Sequence, residues 1–196
     1  MPNYAEERVL WYLRLNGFFP ISNFVVHRSR NVKHSSDIDV MAVRFPFVYE
    51  EIGGRDDDWD NSLLELFTPK LPIGLMCQVK SGGFDPNSIF SLEVVKYATG
   101  RFGFIPNHQD LDDQVQKNRL TVVNKSFQIA KLFFSNKNDQ QNTDSFFHIS
   151  LGHTRDFIKS RIEKYPKEKY RDRMFFSSLL VQEMIDATVL NNIAND

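Results

Sequence analysis

The stretch Leu75-Met76-Cys77-Gln78-Val79-Lys80-Ser81-Gly82-Gly83 limits the possible folds of this chain more than any other. An apolar run that closes on an amide, a lysine and two glycines predicts a sheet strand ending in a sharp break. A period of two sends Leu75, Cys77 and Val79 to one face and Met76, Gln78 and Lys80 to the other. A lysine at the end of a buried strand either extends to water or meets an acidic partner.

The remaining elements are predicted around that strand. Asn3 and Glu6 have capping-box spacing, so Tyr4 to Asn16 reads as a helix closed by Gly17. Its apolar stripe is Ala5, Val9, Leu10 and Leu13, and Glu6 falls at the head of that inward face. Glu6 is therefore either a cap for Asn3 or an acid aimed at the interior. Phe24 to His27 predicts a short strand, Arg28 to Ser36 a loop, and Asp37 to Phe45 a second strand with Asp37, Asp39, Met41 and Val43 on one face. Asp37 suits a turn at a strand entrance. Asp39 stands among apolar neighbours, where a carboxylate is costly unless paired or metal-bound. Further on, Asp85-Pro86 predicts the start of a helix running to about Arg101. Residues 104–126 are ambiguous, with Asp110 to Arg119 potentially helical. Phe127 to Phe134 and Phe146 to Leu151 read as strands, and Thr154–Tyr165 and Asp172–Leu190 as helices. The element order predicts an α/β fold, specifically a three-layer α/β/α sandwich with a central mixed β-sheet.

Length predicts one domain over residues 1–196, with an insertion at 48–72 and C-terminal helices over 152–196. The 18 phenylalanines predict an aromatic-rich core. The single cysteine, Cys77, excludes an internal disulfide and multi-cysteine zinc sites. The absence of a signal-peptide pattern and of an apolar run near the ~18–20 residues of a membrane span predicts a cytoplasmic protein with no membrane partner. Net charge is −1, but it is unevenly placed. Residues 46–72 carry seven acids against Arg55 and Lys70, residues 155–173 carry eight bases against four acids, and Arg28, Arg30 and Lys33 make a short basic run. That run is a candidate nucleic-acid contact. The five histidines have no metal-ligand spacing, and His148 reads as a satisfied core histidine.

If the Asp39 and Gln78/Lys80 strands are neighbours, their polar side chains lie side by side. Side-chain oxygens with a nearby carboxylate from Glu6 make a hard-oxygen site suited to Mg²⁺ or Mn²⁺. The order Glu6 … Asp39 … Gln78-Val79-Lys80 resembles the PD-(D/E)XK, or restriction endonuclease-like, nuclease superfamily, in particular its Holliday-junction-resolvase and Mrr-like branches. Ala5-Glu6 through Gly17-Phe18 is similar to that family's first helix. Asp37-Ile38-Asp39-Val40-Met41-Ala42 is similar to its metal-binding strand, and Leu75 to Ser81 to its Glu-X-Lys or Gln-X-Lys strand. The resemblance covers residues 5–45 and 73–103. It implies a nuclease acting on DNA, with Asp39 as main metal ligand, and Gln78 and the Val79 carbonyl as further ligands. Glu6 would bind the metal through water, and Lys80 would position the attacking water. Gln78 departs from the commoner acid and removes a negative charge, and the insertion exceeds that of a minimal resolvase. Two symmetric cuts would call for a homodimer.

Two other readings stand beside this one. Ser35-Ser36-Asp37-Ile38-Asp39-Val40 also resembles the Asp-X-Asp strand of nucleotidyltransferases, although the Gly-Ser turn of that family has no counterpart upstream. The nuclease fold can also persist as a nucleic-acid-binding or assembly module whose site has decayed.

Overall fold

A computed structural model describes residues 3–26, 36–85, 89–106, 109–137 and 142–166, together with residues 180, 183, 184 and 187. Chain order is α1 (Tyr4–Leu15), β1 (Phe19–Val26), β2 (Ser36–Arg44), a 3₁₀ turn (Asp56–Asp58), α2 (Asn61–Leu64), β3 (Ile73–Lys80), α3 (Leu92–Phe102), α4 (Gln109–Lys117), β4 (Leu120–Val123), β5 (Phe127–Ser135), β6 (Phe147–Ser150) and α5 (Leu151–Lys164). The sheet is mixed and open, in the order β1-β2-β3-β5-β4. The first three strands form an antiparallel meander, and a crossover through α3 and α4 makes β3 and β5 parallel. β4 pairs with the first half of β5 and β6 with the second half, so the two short strands share one edge.

Helices cover both faces, and alternation along each strand divides the core in two. Val40, Ala42, Leu75, Cys77, Val79, Leu132 and Phe134 pack under α1 and α5 with Val9, Tyr12, Leu13 and Ile158. Met41, Met76, Ile129 and Phe133 pack under α3 and α4 with Val94, Val95, Ala98 and Val115. Each fully buried aliphatic or phenylalanine side chain contributes about 1.5–3 kcal/mol. Phenylalanines fill the second layer in contact pairs such as Phe84–Phe133 and Phe133–Phe146.

Several boundaries move from their predicted places, each for a physical reason. β1 begins at Phe19 rather than Phe24. It pairs with β2 alone, so Pro20 is tolerated, and exposed Phe19 and Ile21 conceal the usual alternation. α3 begins at Leu92 instead of about Pro86, because Ile89 and Phe90 are both buried in a bend before it. Pro86 itself lies outside the described residues. β4 is a strand within the ambiguous 104–126 stretch. Its hairpin to β5 turns on Asn124 and Lys125, at φ 50° and 54°, a conformation usually signalled by Asn-Gly. Most of the predicted 172–190 helix lies outside the described residues, although Leu180, Glu183, Met184 and Ala187 are helical.

Gly17 closes α1 at φ +76°, and a Cβ there would stand 2.7 Å from Val48 Cγ1 and 3.3 Å from both Arg44 Nε and Trp59. Gly17→Ala is expected to destabilise the fold by about 2–3 kcal/mol, from left-handed strain and overpacking. Thermal denaturation should show a fall of about 4–12 °C; an unchanged midpoint would mean that Val48 moves aside freely and that the strain is small.

Candidate active site

Strands β2 and β3 pair from Arg44↔Ile73 to Val40↔Cys77, and the ladder ends there. The side-chain pattern of β2 changes at the same point. Val40 belongs to the α1 core, whereas Ile38 and Met41, three residues apart, both belong to the α3 core. At this point the Asp39 carboxylate reaches β3. Asp39 Oδ2 accepts the Val79 N–H at 2.6 Å, occupying a position a strand carbonyl would otherwise fill, and lies 3.5 Å from Lys80 Nζ. Asp39 and Gln78 are buried at 5 % exposure each, while the Lys80 side chain keeps 44 % of its surface open to solvent. A fixed carboxylate therefore holds an ammonium that an incoming molecule can reach. Burial, with the Asp39 charge second, pushes the Cys77 thiol well up, so this cysteine is a core residue and not a nucleophile.

Asp39 and Lys80 thus meet, with buried Gln78 on the same strand as Lys80, but the Glu6 carboxylate is held elsewhere. Its carboxylate accepts the Asn3 N–H at 3.1 Å and also bonds the Asn3 amide, while Asn3 Oδ1 caps Ala5 and Glu6, completing the capping box. The first turn of α1 does approach the end of β3. Asn3, Tyr4, Ala5, Arg8 and Ser81 line one cavity of about 330 Å³. Alternation, however, puts Gln78 with Met76 on the α3 face, opposite α1. Among the described residues no three of His, Cys, Asp and Glu are grouped to hold a metal ion. Arg28, Arg30 and Lys33, and the side chain of Asp37, lie outside the described residues.

Two groupings were not legible in the sequence. Ser135 stands beside Lys80 in the β3–β5 register, and its Oγ lies 2.9 Å from His148 Nε2. The Lys137 N–H donates to the same oxygen at 3.3 Å. Burial lowers the His148 pKa to about 4. The unfolded histidine protonates near 6.5, so folding excludes a proton and stability falls as pH drops from about 6.5 to 4. His148→Asn should flatten that slope in denaturant titrations at stepped pH; an unchanged slope would show that His148 ionises freely when folded.

The second grouping explains the acidic insertion. Lys164 Nζ meets Asp57 and Asp58 at 2.9 and 2.7 Å, Tyr165 Oη donates to Asp58, and Arg161 Nη1 donates to the Asp58 carbonyl. Asp60 binds Tyr12 and His153, each at 2.6 Å. Three acids of 48–72, Asp57, Asp58 and Asp60, thus meet Lys164 and His153 of α5, while Glu51 pairs with Arg55 within the segment. The segment is docked along α5 and the C-terminal part of α1, and that clasp offsets part of its charge. The sequence signal was present as two blocks of opposite charge, but nothing local linked them.

No helix among the described residues is long and apolar enough to cross a membrane. No family model, curated protein or solved structure matches this chain.

Proposed function

We propose that the chain is a metal-dependent nuclease of restriction endonuclease-like fold that hydrolyses DNA phosphodiester bonds at Asp39, Gln78 and Lys80. The observation that carries this reading is the 3.5 Å Asp39–Lys80 contact between adjacent strands, at the point where their pairing ends and beside buried Gln78. The candidate donors are the Asp39 carboxylate, the Gln78 side-chain oxygen and the Val79 carbonyl. These are hard oxygens of the kind Mg²⁺ and Mn²⁺ take, and Mg²⁺ commonly keeps several waters and one or two carboxylates. With Glu6 in its capping box the set carries one negative charge, which predicts weak metal binding.

A bound ion would polarise the phosphate and stabilise the leaving oxygen. The protein's own contribution is positional. The Val79 N–H fixes Asp39, Asp39 holds the Lys80 ammonium, and Lys80 orients the attacking water while offsetting charge on the phosphoryl oxygens. Pairing of the acidic insertion with α5 reduces its repulsion of a polyanion. A homodimer would be needed for paired cuts in duplex or branched DNA.

A non-catalytic nucleic-acid-binding or assembly module is the second reading, favoured by the engagement of Glu6 in the helix cap and the neutrality of Gln78. The deciding experiment is cleavage of labelled single-stranded, duplex and branched DNA with Mg²⁺, Mn²⁺ or EDTA, comparing wild type with Asp39→Ala and Lys80→Ala. Metal-dependent cutting lost in both variants supports the nuclease. Absence of cutting and of metal-dependent stabilisation supports the binding module.

A further inference from the structure

At the opposite end of β2, about 17 Å from Asp39 by strand rise, a cavity of about 590 Å³ opens between the sheet and the insertion. Its apolar wall includes Trp59, Leu64, Phe67 and Ile73, and Arg44 lines it. Arg44 is more than nine-tenths buried. Its Nε donates to the Asn16 carbonyl at 2.9 Å and Nη1 makes a long bond to the Phe45 carbonyl, and its guanidinium carbon stands 5.1 Å from the Trp59 ring centre. The remaining nitrogen, Nη2, makes no hydrogen bond to the described residues, and it is not among their polar atoms sealed inside without a partner. No carboxylate of the described residues forms an ion pair with Arg44. Burial alone pulls its pKa down, as expected for a cation without a counter-charge.

The walls are fixed in advance. Buried Gln128 brackets the rim, accepting the Thr68 N–H at 2.9 Å and donating to the Thr68 carbonyl at 2.8 Å. Arg161 also stands 6.0 Å from the Trp59 ring. We infer that this cavity is a binding site for a small organic carboxylate with an apolar body, its carboxylate on Arg44 Nη2 and its body against Trp59 and Phe67. One guanidinium with one free nitrogen matches a single negative charge. Arg44 and Lys70 line the cavity against Asp56 and Glu65, so the lining has no surplus positive charge for a phosphate dianion, whereas a monocarboxylate needs only the Arg44 guanidinium. The site is separate from the Asp39–Lys80 pair and does not depend on the nuclease reading.

The test uses hexanoate as probe on the full chain, followed by tryptophan emission and by thermal midpoint, with hexanamide, acetate and inorganic phosphate as comparisons. Wild type should respond saturably to hexanoate, with hexanamide weaker by about ten-fold or more, since the amide lacks the charge that meets Arg44. Trp59→Phe should lose the emission change and keep a hexanoate-dependent rise in midpoint. Arg44→Gln should abolish binding. Because Arg44 also holds the end of α1, Leu71→Phe serves as a second variant that leaves Arg44 in place and narrows the cavity, and it should weaken hexanoate by a similar factor. No saturable response in wild type, an equal response to hexanamide, a stronger response to phosphate, or binding that survives both Arg44→Gln and Leu71→Phe would each overturn the inference.

Discussion

Lys80→Ala is expected, on the proposed nuclease reading, to cut metal-dependent DNA cleavage by about 10²–10³-fold with little change in stability, because removing one preorganised charge at a developing oxyanion costs that much. The Lys80 side chain is 44 % exposed and its contact with Asp39 is long, so the folded state loses little with it. Asp39→Ala should lose at least as much activity and destabilise as well, since it strands the buried Val79 N–H. Asp39→Asn separates the two effects. Its amide oxygen can still accept from Val79, so stability should hold while metal dependence is lost. Thermal shift supplies a readout independent of turnover. Metal at ten times its dissociation constant stabilises the native state by about 1.4 kcal/mol, a shift of about 3–6 °C, which Asp39→Asn should erase. Gln78→Glu would restore the missing negative charge and should lower the Mg²⁺ concentration needed for that shift. If Gln78→Glu binds no more tightly than wild type, Gln78 is not a ligand.

Asp60→Ala should be the most destabilising single change outside the aromatic core, at about 3–5 kcal/mol. The carboxylate is buried and accepts from Tyr12 Oη, His153 Nε2 and the Ser62 N–H at 3.0 Å, and its removal strands the fully buried Tyr12 hydroxyl. A fall of about 6–20 °C in thermal midpoint is the expected result; a loss within the scatter of surface substitutions would mean that water replaces the carboxylate. The penalty should also vary with pH. The hydrogen bond to Asp60 raises the His153 pKa, so that contribution is complete below the unfolded value near 6.5 and disappears as pH rises through the raised folded value. Burial acts to raise the Asp60 pKa, but hydrogen bonds from His153 and Tyr12 outweigh it and the net shift is downward. That contribution is complete above about 3.8 and is lost as pH falls through the lowered folded value. The difference between wild type and Asp60→Ala should therefore peak between about pH 4 and 6.5 and shrink in alkaline solution.

Local signals in the sequence determined a good deal of this protein. The capping box at Asn3 and Glu6 and the stop at Gly17 define α1, and strict alternation in Leu75 to Lys80 assigns each residue of β3 to its face. The same alternation, with the cost of an unpaired carboxylate, singled out Asp39 before any partner was known. These features rest on neighbours within four residues or on a period of two, so the chain carries them without its fold.

Long-range packing decided the rest. Glu6 could have capped or faced inward, and the choice lies in a side-chain torsion and in which sheet face α1 covers. The hairpin at Asn124-Lys125 adopts positive φ without glycine because β5 is pinned between β3 and β4. Ser135 and His148 meet because two parallel strands align, and Asp57 and Asp58 meet Lys164 across about a hundred residues. Side-chain charge and shape are written in the sequence, but which charges share one desolvated space is set by the docking of whole elements.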